Sequence, residues 1–351
     1  MRKYKCLISL LVCVGMCVSF SSCAMKTDKY SEYSFDYFDT VTVITGYAES
    51  EEEFAAVCRS ILESLSEYHK LFDIYQRYEG MENLYTVNAL ENGAHRTVLV
   101  DDRIMDMLLF SVEMHEKTGG RVNIALGSVL SLWHDYREKG EGDPKEAELP
   151  PMDRLQEASL HTDIESLILD KENGTVTITD PKMTLDVGAI AKGYAVEMIA
   201  RDLEAQGISG YVLNVGGNVR TIGEKGDGQK WKVGLENPDD DGNSPYLTYL
   251  YLAGESVVSS GSYQRYYIVD GKEYHHIIDS ETLMPAEGFR SVSVVCVDSG
   301  LGDALSTALF CMSFEDGMAL VESLENVEAL WLFEDGSIEV SSGFDAYTEK
   351  Q

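Results

Sequence analysis

A chain of 351 residues with 60 acidic against 28 basic side chains carries a formal charge of −32. A surface this acidic repels nucleic acid and other polyanions, so a phosphorylated ligand needs a metal ion or a local basic group at its site. Of the seven cysteines, Cys6, Cys13, Cys17 and Cys23 crowd the N-terminus, and the widely spaced Cys58, Cys296 and Cys311 make neither a disulfide framework nor a CxxC pair; burial as small hydrophobes is expected.

In chain order, Arg2, Lys3 and Lys5 precede an apolar run from Leu7 to Phe20 that ends in small residues, the layout of an export signal. The run is too short for a spanning helix and turns polar at Lys26, Asp28 and Lys29. Phe20-Ser21-Ser22-Cys23 resembles the bacterial lipobox, with Phe20 in place of the usual Leu, and predicts lipidation at Cys23 after cleavage. An ordinary signal peptide with an incidental cysteine is the alternative. The expected layout is a lipoprotein signal over residues 1–22, a polar tether over 23–35 and one folded domain over 36–345. The mature protein would then be lipid-anchored to the cell membrane on its extracytoplasmic face.

Helical spacing follows in Phe54, Val57, Ile61, Leu65, Tyr68 and Leu71, and again in Ile104, Leu108, Val112 and His115. Gly140 to Asp153 and Asn237 to Pro245 read as surface loops. Asn173-Gly174, Asp270-Gly271 and Asp335-Gly336 each sit between strand patterns and predict hairpins. Hairpins imply antiparallel pairing, so the expected class is α+β, with mixed, largely antiparallel sheets sandwiched with helices.

No GxGxxG or GxxxxGK[ST] loop is present; the nearest approach, Gly226-Asp227-Gly228, lacks the third glycine. Leu185 to Tyr194 reads instead as strand, tight turn and helix. Its small residues and helix-start amides suit a phosphate, and Lys192 adds positive charge, although a plain packing turn with a solvated lysine fits as well. Asp303 and Thr307 lie one helical turn apart, a hard oxygen pair suited to magnesium or, equally, a first-turn acid and a threonine bonded to its own helix. In Tyr274 to Asp279, strand alternation sends His275 and His276 to opposite faces. Only one can face a given site, as a base or as a structural histidine.

Together these segments resemble the ApbE-type FAD:protein FMN transferases. The likeness runs in order through Tyr37-Phe38-Asp39-Thr40, Phe72-Asp73-Ile74-Tyr75, Thr118 to Gly127, Asp186 to Tyr194, Asn214 to Arg220, Ser259 to Arg265, His276 to Asp279 and Asp303 to Leu309. The resemblance implies an ApbE-like fold and an FAD site lined by Phe38, Tyr75, Arg121, Val122, Asn123, Asp186, Lys192 and Ile278. It further implies a Mg2+ site at Ala189, Asp303 and Thr307, His276 as the residue that activates the acceptor hydroxyl, and a glycine turn at 214–220 that shapes the pocket.

The implied reaction is Mg-dependent transfer of FMN from FAD to a Thr or Ser hydroxyl of an exported or membrane flavoprotein, releasing AMP, with Asp303 and His276 as the catalytic groups. An FAD pyrophosphatase and a non-catalytic flavin-binding lipoprotein are the rival readings. Nucleic acid is not an expected partner. Three positions depart from the family pattern: Asn123 where aspartate is frequent, Ser280 where proline usually follows the aspartate, and Leu283 where glycine is common.

Overall fold

The computed structural model describes residues 27–89, 96–240, 242 and 244–348; the export segment and Cys23 lie outside them. The first half holds β1 (Asp28–Tyr37), β2 (Thr40–Ala48), α1 (Glu51–Phe72), α2 (Leu84–Asn88), β3 (Arg96–Leu99), α3 (Asp102–Lys117), α4 (Gly127–Gly142), α5 (Met152–Ser159), β4 (Leu167–Asp170) and β5 (Thr175–Ile178). Next come α6 (Ala191–Ala205), β6 (Tyr211–Val215), β7 (Asn218–Ile222), β8 (Trp231–Glu236), β9 (Tyr246–Leu252) and β10 (Ser256–Gly261). The chain then forms β11 (Tyr266–Val269), β12 (Lys272–His275), β13 (Phe289–Cys296), α7 (Ser299–Phe310), α8 (Phe314–Glu322), β14 (Glu328–Phe333) and β15 (Ile338–Val340).

Eight strands form one sheet in the order β1-β2-β6-β7-β10-β13-β14-β15, and every pairing between neighbours is antiparallel. Alternation gives the sheet two apolar faces. Val292, Val294 and Cys296 of β13 with Ala329 and Trp331 of β14 pack on Leu305 and Leu309 of α7, while Val295 and Leu330 turn the other way onto Leu235, Leu250 and Leu252 of the β8–β9 hairpin. The class is therefore α+β, helices on one face and a hairpin on the other. All three expected hairpins form, as β4–β5, β11–β12 and β14–β15.

Helix α1 shows why the periodic segments fold as they do. Phe54, Cys58, Ile61, Leu65, Tyr68 and Leu71 fall on one buried stripe, and Ser50 caps the start by accepting the Glu53 amide. Glu51 to Glu53 stand at its N-terminus and His69 and Lys70 at its C-terminus, the charge order that the helix dipole favours. The stripe closes on α6 and β2, fixing the layer that carries the site.

Two expectations change. Asp28 to Ser34 is not a tether but most of β1, paired residue for residue with β2. A polar sequence suffices there because β1 is an edge strand that buries only Ser34, with Tyr30 stacked on Phe54 at 5.4 Å between ring centres. Leu185 to Val187 forms no strand and joins no sheet. Its backbone is held by the Asn88 side chain, which bonds both Leu185 N (2.7 Å) and Leu185 O (2.9 Å), and by Asp186 N donating to Ile124 O (2.8 Å).

The cysteines of the folded body are free and buried. Burial, the leading cause, pushes the Cys58 and Cys311 thiols up to about 12. Among the described residues, no helix is long and apolar enough to cross a membrane.

Candidate active site

One end of the strands of the large sheet gathers most of the singled-out segments. The β1–β2 turn, the β6–β7 turn and the end of β10 all lie there, because antiparallel neighbours bring Tyr37↔Thr40, Val215↔Asn218 and Val258↔Asn218 to the same end. Phe38 and Asp39 take the left-handed conformation, φ +54° and +50°, that a two-residue hairpin with native twist requires. For a phenylalanine this conformation costs about 1–2 kcal/mol. The turn is held by Phe38 N donating to His69 Nδ1 (3.3 Å) and by the Phe38 ring set edge-on to His69. Gly216, φ +56°, touches the same turn so closely that a Cβ there would lie 2.3 Å from Thr40 Oγ1.

Asp303 of α7 is buried at the start of α6. Its Oδ2 accepts the Gly193 amide at 2.7 Å and its Oδ1 accepts Lys192 Nζ at 3.1 Å. A turn over Gly188, Ala189 and the buried Ile190 leads into that helix start. One turn along α7, Thr307 Oγ1 lies 3.4 Å from Ser260 Oγ of β10, which is also 2.8 Å from Ser306 Oγ. Ser306 Oγ in turn donates to the Asp303 carbonyl at 3.0 Å.

Glu197 fixes α6 against α7. Its Oε2 accepts Arg220 Nε (3.0 Å) and Ser299 N (2.9 Å), and Arg201 Nε donates to Oε1 at 2.8 Å. Arg220, 2 % exposed, also bonds Gly254 O and Glu204. Within the Asn214 to Arg220 segment, Gly216 touches the β1–β2 turn and the Asn218 side chain lies against Gly193 and Ser299. Arg220 serves the scaffold.

The β12 strand ends at His275, one residue before His276. His275 turns to the core, its Nε2 2.8 Å from Ala286 O and its ring against Phe310. His276 takes the opposite side, with its amide donating to Arg265 O (3.1 Å) and its Nδ1 3.2 Å from the same oxygen. Arg265 Nη2 donates to Asp39 O at 3.0 Å, so the histidine segment is tied to the β1–β2 turn. Burial first, and the Arg265 charge second, push the His276 imidazole down to about 4.

The remaining candidates divide. Tyr75 is 57 % exposed and its ring lies against His134, 5.3 Å between centres and tilted by 32°. Its phenol is pushed up to about 12, first by the protein packed around it and then by Asp186, with Arg137 and Arg265 opposing. Asp186 is itself held above the usual carboxylate range by burial, which outweighs the bond from Gly188 N. Arg121 pairs with Asp279 (3.5 Å) and Glu281 (2.9 Å), steadying the loop after His276.

Val122 and Ile278 are buried, and Ile278 packs with Trp133, Tyr267 and Leu283. Asn123 caps a short 3₁₀ turn by accepting Ala125 N and donates to Thr162 O. Both ends of its amide are thus engaged by backbone.

The ApbE family model matches residues 38–331 of this sequence. The chain belongs to the ApbE family. It is 31% identical over 283 residues to the FAD:protein FMN transferase of Klebsiella pneumoniae, covering 78% of this chain and 84% of that one. It is 34% identical over 274 residues to the FAD:protein FMN transferase of Treponema pallidum, covering 74% and 73%. The fold is similar to the crystal structure of the ApbE protein of Thermotoga maritima, with a TM-score of 0.80 at 27% identity over 92% of this chain and all 100% of that one. The flavin transferase ApbE of Vibrio cholerae shares the fold at a TM-score of 0.75 and 23% identity, over 92% and 100%.

Within this ApbE fold, the family motifs had not singled out Arg265, Ser260, Glu197 or the pair His134 and Arg137. Arg265 and Ser260 stand within the Ser259 to Arg265 motif, but no spacing in the sequence shows that one reaches Asp39 and the other Thr307. Leu283, at a position where the resemblance leads to an expectation of glycine, has φ +61°. The expected glycine is explained by this left-handed backbone, which a leucine adopts only under strain.

Proposed function

We propose that this ApbE-family chain is a magnesium-dependent FAD:protein FMN transferase, lipid-anchored through Cys23 outside the cytoplasm, that flavinylates an exported or membrane protein. The observation that carries the reading is the setting of Asp303, a buried carboxylate with one oxygen fixed by the Gly193 amide and a lysine at the other. It stands one helical turn from a partly exposed threonine hydroxyl. Among the described residues no cluster of three or more His, Cys, Asp or Glu is built to hold a metal. A cation here would rest on one carboxylate with hydroxyl and carbonyl oxygens, namely Asp303, Thr307 and Ala189.

That hard-oxygen set fits magnesium, which keeps several waters and takes substrate phosphate for its other positions. Asp303 Oδ1 faces the Lys192 ammonium, so the carboxylate is aimed at a cationic partner. When bound, the metal supplies charge neutralisation on the diphosphate. The protein's own groups do the rest.

Tyr75 and Phe38 offer aromatic surface for the flavin ring, and the α6 start with Lys192 offers a positive end for the diphosphate. A serine or threonine Oγ of the acceptor attacks the FMN-side phosphorus. An O–P bond forms there, the P–O–P bond breaks, and AMP leaves with the bridging oxygen and its electron pair. His276, kept neutral above about pH 4, is free to take the hydroxyl proton.

Co-expression with exported flavoprotein candidates tests this reading. Covalent FMN on a serine or threonine of one candidate, located by peptide mass spectrometry and absent without this chain, is the expected result. Free FMN and AMP with no modified acceptor would point to a pyrophosphatase, and FAD binding without turnover to a carrier.

A further inference from the structure

Phosphate recognition alone does not account for the contact between Lys192 and Asp303. A lysine kept only for a diphosphate has no need to lie against a carboxylate, yet Lys192 Nζ is 3.1 Å from Asp303 Oδ1, with the two side chains 21% and 7% exposed. The next residue, Gly193, places its amide on the other oxygen at 2.7 Å. Two consecutive residues of α6 thus bracket one carboxylate.

The two partners differ in kind. The Gly193 amide belongs to a helix locked against α7 through Glu197, Arg220 and Ser299 N, so it cannot leave. Lys192 holds its ammonium on a flexible four-carbon stem, so it can swing away without moving the backbone. A carboxylate this buried is costly without a cationic partner, and in the absence of metal Lys192 is that partner. A divalent cation at Oδ1 would bring like charges against the ammonium, and the doubly charged ion wins that oxygen.

We propose that Lys192 is a place-holder for the metal. It keeps Asp303 aimed at the site before metal binds, leaves Oδ1 when the cation arrives, and then turns to the diphosphate of FAD. One group thereby serves two partners in succession, and metal and FAD bind cooperatively because the first frees the lysine that the second uses. The inference rests on the metal-assisted reading given above.

Mn2+ serves as the probe, measured by calorimetry on the purified protein with and without FAD, for the wild type and for Lys192→Met and Lys192→Arg. Without FAD, Lys192→Met should bind Mn2+ several-fold more tightly than wild type, because no ammonium has to leave, while Lys192→Arg should not. FAD should tighten Mn2+ binding by a larger factor in wild type than in Lys192→Met. Wild-type crystals with Mn2+ and no FAD, which need no variant to fold, should show the ion at Asp303 and Lys192 Nζ withdrawn beyond hydrogen-bonding range.

Mn2+ at Asp303 with Lys192 still bonded there, or Lys192→Met binding Mn2+ no more tightly than wild type, would overturn the place-holder role and leave the metal-assisted reading intact. No Mn2+ at Asp303 even with FAD present would overturn both.

Discussion

Gly193 donates its amide to Asp303 at 2.7 Å, and the two backbones approach so closely that a Cβ on residue 193 would lie 2.4 Å from the Asp303 Cβ and 2.5 Å from Ser299 O. The carboxylate proposed to bind metal and the helix start proposed to bind phosphate are therefore one packed unit.

Gly193→Ala should break that unit. Relieving the overlap requires α6 and α7 to separate, and overpacking of this kind costs about 1–3 kcal/mol. A lowered urea midpoint together with loss of FMN transfer is the expected outcome. An alanine variant with wild-type stability and activity would contradict the geometry.

The pH dependence follows from the sign of the His276 shift. Its imidazole is pushed down to about 4, so it stays neutral, and able to accept a proton, at any pH well above that value. Because kcat/KM reports the free enzyme, its acid limb should show no inflection near 6.5 from this group and should fall only on approach to about pH 4. Arg265→Gln removes one cause of the shift, so the acid limb should move to higher pH. His276→Ala should lower turnover by about 10²–10⁴-fold.

Glu197 tests the support behind the site. It is 2 % exposed and faces the equally buried Arg220, so Glu197→Gln leaves that guanidinium with Glu204 as its one remaining carboxylate partner among the described residues. Breaking a buried pair from one side costs about 3–5 kcal/mol. Guanidinium denaturation should register that loss, and Mn2+ affinity should fall with it, because the same carboxylate holds Ser299 N at the start of α7.

Leu283 sets two effects of similar size against each other. Its left-handed backbone, φ +61°, costs about 1–2 kcal/mol, whereas burying its side chain with Trp133 and Ile278 contributes about 1.5–3 kcal/mol. Leu283→Gly loses both, so relief of about 1–2 kcal/mol of strain offsets part of a packing loss of about 2–5 kcal/mol. Leu283→Ala keeps the strain and loses the packing, at a cost of about 2–5 kcal/mol. Thermal melts should therefore rank glycine above alanine.

Local signals carried much of this in the sequence. The α1 stripe, the three hairpin turns and the Asp303–Thr307 spacing are set by residues within a few positions of one another and appear where expected. Helix α3, by contrast, buries Met107, Ser111 and Met114 beside Ile104 and Leu108 and leaves Val112 and His115 half-buried. Long-range partners were not legible. Leu185 to Val187 has a strand pattern, yet its neighbours are the Asn88 side chain and Ile124 O rather than another strand, and nothing within the segment says so. Asp28 to Ser34 looked too polar to fold, but an edge strand needs only one inward contact row. Arg220 belonged to a pocket motif by position, and only tertiary structure shows it buried against Glu197. Arg265 gains its role solely by reaching Asp39, far away in the chain.

The central claim is that Asp303 directs the FMN half of FAD to a protein hydroxyl, and product stoichiometry tests it most directly. Purified chain, FAD, Mg2+ and a flavinylated-type acceptor are mixed, and AMP and acceptor-bound FMN are counted together. The account predicts one AMP for each FMN attached, both lost in Asp303→Asn and both lost when EDTA removes the metal. AMP released without FMN on the acceptor, or full transfer by Asp303→Asn, would contradict it.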